Sequence, residues 1–202
     1  IAIGTAPLEK NTTGDYNVAL GYRTLNQNTT GSNNVAFGCD TLLCNTTGSH
    51  NYAIGKRALC SNTTGDLNVA IGCEALKSNT TGYHNTAVGE YSLHDNSTGS
   101  SNTAIGKNAL CANTTAGCNI AIGEDSLKIN TTGCHNIALG NDALNKNTTA
   151  NYNLAIGHVS LCSTTTGALN VALGLNALRM NTTGLRNVAI GASPMYDNTT
   201  GQ

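Results

Sequence analysis

Apolar positions recur along this chain at one fixed spacing of seventeen residues, and every recurrence has the same internal order. Each unit holds a stretch Asn-φ-Ala-φ-Gly, where φ is mostly aliphatic, as in Asn17-Val18-Ala19-Leu20-Gly21 and Asn68-Val69-Ala70-Ile71-Gly72. Alternation of this kind has the period of a β-strand and sets the two φ residues on one face, with Ala and Gly on the other. A second anchor follows at Leu25, Leu42, Leu59, Leu76 and Leu93 and onward, replaced by Met195 in the last full unit; it predicts a short second strand or extended arm. Asn-Thr-Thr-Gly then closes the unit with turn chemistry. Asn and Thr side chains accept local backbone N–H groups, and Gly allows positive φ.

Two strands and two turns in seventeen residues predict an all-β fold, a parallel β-solenoid or β-roll of about twelve coils. Each strand would pair with its copy one coil away at about 4.8 Å, giving a stack roughly 55 Å long. Seventeen residues are too few for the helix pairs of α-solenoids. The φ residues and Leu are expected to fill each coil. The small Ala/Gly face is expected to meet a close neighbour, either the opposite wall of a flat coil or identical chains around an axis.

No insertion or deletion breaks the register, so residues 1–202 read as one continuous array: a partial unit 1–10, full units 11–197 and a partial unit 198–202. Both ends fall inside a unit, which predicts an excerpt of a longer fibre. Neither a secretory leader nor an apolar run of spanning length is present in this stretch, so no membrane span is expected.

Composition narrows the reading. Aromatics make up 4%, with no Trp and one Phe, while Gly reaches 23 residues; only a thin core of aliphatics and Ala can be built. Ten Lys and Arg and eleven Asp and Glu are scattered through variable positions, which argues against nucleic acid as a partner. The strict phasing of the aliphatics argues against disorder.

The unit Asn-Thr-Thr-Gly-x-x-Asn-Val-Ala-Ile-Gly-x-x-Ala-Leu, seen for instance in Asn187-Val188-Ala189-Ile190-Gly191, resembles repeats of phage and virus tail-fibre proteins. It is also similar to the head repeats of trimeric autotransporter adhesins. The resemblance covers the whole chain and implies a left-handed parallel β-roll in a homotrimer, exposed on a surface and used for reach and attachment.

Several residues could carry chemistry. Asn11, Asn28, Asn45, Asn62, Asn79, Asn96, Asn113, Asn130, Asn147, Asn181 and Asn198 each begin an N-glycosylation sequon; they would form one glycan row, or serve only as turns. At the tenth full unit Thr164 replaces the asparagine and removes the sequon. The second asparagine of the unit never varies: Asn17, Asn34, Asn51, Asn68, Asn85, Asn102, Asn119, Asn136, Asn153, Asn170 and Asn187. A ladder is expected there, with side-chain amides bonded to copies one coil away.

Eight cysteines lie at variable positions without zinc-type spacing. Cys44 with Cys60, and Cys118 with Cys134, are sixteen residues apart, which makes inter-coil disulfides geometrically feasible; Cys111 with Cys118 is a competing pairing. Any such bridge would point to an oxidising setting. His50, His84 and His135 share one position of the unit but sit on separated coils, so one chain alone cannot gather them on a metal. No cofactor or catalytic arrangement is read.

The expected function is structural: a rigid repetitive shaft of an extracellular, cell-surface or virion-surface fibre, built from copies of itself, with a glycan row if the sequons are used. One alternative is a shaft that itself binds host surfaces through variable turns such as Tyr22-Arg23 or Lys56-Arg57. Another is an ice-binding solenoid with its Thr rows, against which the adjacency of the two threonines in a turn counts.

Overall fold

A computed structural model describes residues 1–201 as a single parallel stack. Twelve strands, β1 (Ala2–Ile3), β2 (Val18–Leu20), β3 (Val35–Phe37), β4 (Tyr52–Ile54), β5 (Val69–Ile71), β6 (Thr86–Val88), β7 (Thr103–Ile105), β8 (Ile120–Ile122), β9 (Ile137–Leu139), β10 (Leu154–Ile156), β11 (Val171–Leu173) and β12 (Val188–Ile190), pair in chain order as one sheet. Register is strict: Ala36 lies beside Ala19 and Ala53, and every other strand alanine sits beside its copies in the same way. The chain is a β-solenoid with one turn per seventeen-residue unit.

The alternation assigns parity correctly, but the faces are reversed. The strand alanines, Ala19 to Ala172, are fully buried, together with the Leu row from Leu25 to Leu178. The φ residues turn outward: Leu20, Ile54, Ile71 and Ile122 are exposed. The flat-coil alternative is the one realised, since Ala faces the opposite wall of its own coil and Leu reaches across to it. Nothing larger than a methyl group fits at the strand position of so thin a coil, and aliphatics of Val or Ile size have only the outside left to them.

The second strand does not form either. The Leu arm is a run of turns in which alternate residues take positive φ, as at Arg23 (φ 48) and Leu25 (φ 50), and the same pair recurs in every full coil. Left-handed conformation costs an L-residue roughly 1–2 kcal/mol, while burying a leucine contributes roughly 1.5–3 kcal/mol. These terms nearly cancel, so the arm depends on its hydrogen bonds to neighbouring coils. Arg23 N–H donates to Thr5 O of the coil before (2.9 Å), and Leu25 N–H to Thr41 O of the coil after (3.1 Å).

Two glycine positions look alike in sequence and differ in constraint. The glycine that ends each strand has φ between 127 and 139 in all twelve units, and a Cβ on Gly106 would meet Gly123 O at 2.6 Å. The glycine of the Asn-Thr-Thr turn has ordinary φ and gives way to buried Ala116 and Ala150.

Candidate functional site

Three surfaces run the length of the stack, one for each row of side chains that the coil repeats. The interior rows are polar as well as apolar. Asn45 Nδ2 donates to Asn28 Oδ1 of the coil before (2.7 Å) and to Gly48 O of its own turn (2.9 Å). Asn62, Asn79, Asn96, Asn113 and Asn130 repeat this pair of bonds. From Asn28 to Asn147, and again at Asn181, these sequon asparagines are completely buried; Asn11 and Asn198, in the terminal coils, are partly exposed.

The second asparagine row is a separate ladder. Asn34 accepts the backbone N–H of Asn51 on Oδ1 (3.0 Å) and donates from Nδ2 to Gly48 O (2.8 Å). Gly48 O thus takes one hydrogen from each ladder, which uses both of its lone pairs and locks the two rows together. Every asparagine from Asn17 to Asn187 makes the equivalent Nδ2 bond to the turn carbonyl of the next coil, for example Asn102 to Ala116 O and Asn170 to Gly184 O.

Where Thr164 interrupts the first row, Asn147 Oδ1 is left buried with no hydrogen-bond partner. Thr164 instead donates its hydroxyl to Asn181 O (3.1 Å). This single exception shows what the sequence pattern alone does not: the first asparagine of the unit is an interior ladder residue as well as a turn residue. The signal was its near-invariance at a position where Ser, Thr or Asp would equally initiate a turn.

The two threonines of the turn diverge. Thr29 Oγ1 donates to Thr46 O of the next coil (2.9 Å), and Thr46, Thr63 and Thr131 repeat the bond. The second threonine is exposed in all twelve coils, from Thr13 to Thr200. Thr hydroxyls therefore present one free row to solvent.

The outer sheet face carries two rows of exposed or half-buried aliphatics, such as Ile105 at 39%, Ile122 at 39% and Ile156 at 38%, along the entire stack. No charged residue interrupts them from Val18 to Ile190; Phe37 and Tyr52 are the aromatic members, and Tyr52, Thr86 and Thr103 are the ones that carry a hydroxyl.

The third surface, over the Leu arm, is variable and charged. Arg23 pairs with Asp40 (2.8 Å) and Arg57 with Glu74 (3.1 Å), each across one coil step. Glu74 also meets Lys77 at 2.8 Å and His94 at 3.1 Å. The hydrogen bond from Lys77, reinforced by His94 and Arg57 against partial burial, pulls the Glu74 carboxyl down to about 2. Cations of the turns proposed for host contact, Arg23 and Arg57, are thus engaged within the stack.

All eight cysteines, including Cys44, Cys60, Cys118 and Cys134, are free thiols. Cys44 N–H donates to Cys60 O (3.0 Å), so their backbones are adjacent. Burial, with the neighbouring Cys44, pushes the Cys60 thiol up, and burial does the same at Cys111 and Cys162, which lowers their nucleophilic thiolate fraction. His50, His84 and His135 are exposed on separate coils; His135 stacks on Tyr152 and His84 meets Tyr83 edge-on. Among the described residues no group of three or more His, Cys, Asp or Glu converges, no cavity opens, and no helix is long and apolar enough to cross a membrane.

No protein-family model, curated protein or solved structure matches this chain. The class that the coordinates define is a β-solenoid of seventeen-residue coils with asparagine-laddered walls.

Proposed function

We propose that the chain is a structural shaft, a rigid segment of a surface fibre assembled from copies of itself along the outer sheet face. The observation that carries this reading is the double row of outward, mostly aliphatic side chains that runs from β2 to β12 without a charged residue. Water-exposed apolar patches beyond a few hundred Å² mark interaction surfaces. This one amounts to something on the order of 1,000 Å², the same order as the ~800 Å² that each partner gives a standard interface.

A flat face of constant pitch is complementary to another copy in the same register, and three copies around one axis would cover all three faces at once. Rigidity follows from the coil, because the backbone ladder and the second asparagine ladder run the full length of the stack and the first asparagine ladder is broken once, at Thr164. A cell or virion surface is where such a shaft would serve, with no catalysis of its own. Sedimentation equilibrium tests the assembly: the chain should run as a trimer, and Ile71→Lys with Ile105→Lys and Ile122→Lys should run as a monomer of unchanged strand content. A monomeric parent chain at micromolar concentration would contradict the reading.

A further inference from the structure

The sequon asparagines bear on where this chain acquires its fold. N-glycosylation joins the anomeric carbon of a sugar to Asn Nδ2; the lipid pyrophosphate carrier leaves from that carbon, and Nδ2 gives up one of its two hydrogens as a proton. A modified asparagine keeps a single N–H. At eight of the nine interior positions both hydrogens are already committed, as at Asn45, whose Nδ2 serves Asn28 Oδ1 and Gly48 O, while Asn181, next to Thr164 in the row, commits one to Gly184 O. Nine of the eleven sequon asparagines are fully buried. Space is as short as hydrogens, since even a Cβ on Gly48 would come within 2.5 Å of Asn45 Oδ1 and of Gly65 O. Coil and glycan are mutually exclusive at the same asparagine.

The residue that turns each tripeptide into a sequon stands outside this network. The second threonine, from Thr13 to Thr200, is exposed, and transferases read Asn-x-Thr on accessible, extended chain. A chain passing such an enzyme before folding would offer eleven acceptors, and each one used would remove a rung from the ladder.

We infer that this array folds out of reach of N-glycosylation machinery and that its sequons are silent: the stack closes first, in a compartment without oligosaccharyl transfer, and is displayed afterwards. The silence of the sequons rests on coil geometry alone, and only the later display rests on the shaft reading.

The test is made with purified full chain, an oligosaccharyl transferase and a lipid-linked oligosaccharide, with glycopeptide mapping as the readout. Folded chain should carry sugar on none of the nine interior asparagines, and denatured chain on several. The denatured, sugar-bearing chain is then returned to native buffer beside an unmodified control; the control should regain strand circular dichroism and protease resistance, and the modified chain should lose at least tenfold in resistance. Sugar on interior asparagines of folded chain, or equal recovery by the modified chain, would overturn the inference.

Discussion

Asn102 and Ile105 sit three residues apart on the same coil and exchange the places that their chemistry would ordinarily assign. The amide is fully buried and the isoleucine is 39% exposed. Burial of an amide is costly only when its hydrogen bonds are missing. Asn102 has all of its own: Nδ2 to Ala116 O at 2.8 Å and to Asn85 Oδ1 at 3.2 Å, and Oδ1 accepting Asn119 N–H at 3.1 Å. Stacking identical coils supplies each amide with an identical partner above and below, so a polar interior becomes self-satisfying. Isoleucine has no such solution in a wall one alanine thick, and its row is left for another surface to cover.

The contrast is broken most severely from the inside. Asn102→Ala leaves Asn119 N–H without its acceptor and removes a donor from Ala116 O; at about 1–3 kcal/mol for each buried group left short, the loss should be roughly 3 kcal/mol, read from urea unfolding with hydrogen exchange locating the weakened coils. Ala104→Leu overfills the same wall and should cost about 1–3 kcal/mol, measured in the same way. Thr164→Asn sharpens the contrast by restoring a rung: it gives Asn147 Oδ1 a donor and should raise stability by about 1 kcal/mol, visible as slower amide exchange across the tenth full coil.

On the outside, Ile105→Ser should change the stability of an isolated chain by no more than about 0.5 kcal/mol, yet it should weaken association in sedimentation. The smallest effect belongs to the charged arm. A carboxyl whose value falls from the ordinary 4.5 to about 2 on folding stabilises fully above 4.5. That contribution declines as pH drops below 4.5 and is gone once pH has passed below about 2. Glu74→Gln should therefore lower the profile evenly above pH 5, with no change of slope there, and flatten the acid limb between those values so that the two profiles converge near pH 2.

Much of this architecture is legible in the sequence, and what escapes does so for identifiable reasons. The period, the strand around Val69-Ala70-Ile71 and the in-register stack follow from spacing, because alternation and repeat length are what a ladder requires. Alternation gives parity without sign, however. Which face is interior depends on wall separation, and the invariance of Ala70 against the variation of Val69, Tyr52 and Thr86 at the φ position was the available clue to it. The Leu arm escapes because Leu25 adopts φ 50, a conformation that leucine does not announce as glycine does. Asn28 reads as a turn residue, and its second role depends on a carbonyl, Gly31 O, and an amide, Asn11, that only the folded stack brings to it.

The central claim, that amides line the inside while aliphatics face out, is tested most directly by exchange of asparagine side-chain NH₂ protons in ¹⁵N-labelled chain by NMR. The account predicts a large cluster of Nδ2 protons from both ladders protected for as long as the strand amides of β2 to β12. Nδ2 protons that exchange as fast as those of an unfolded peptide would contradict it.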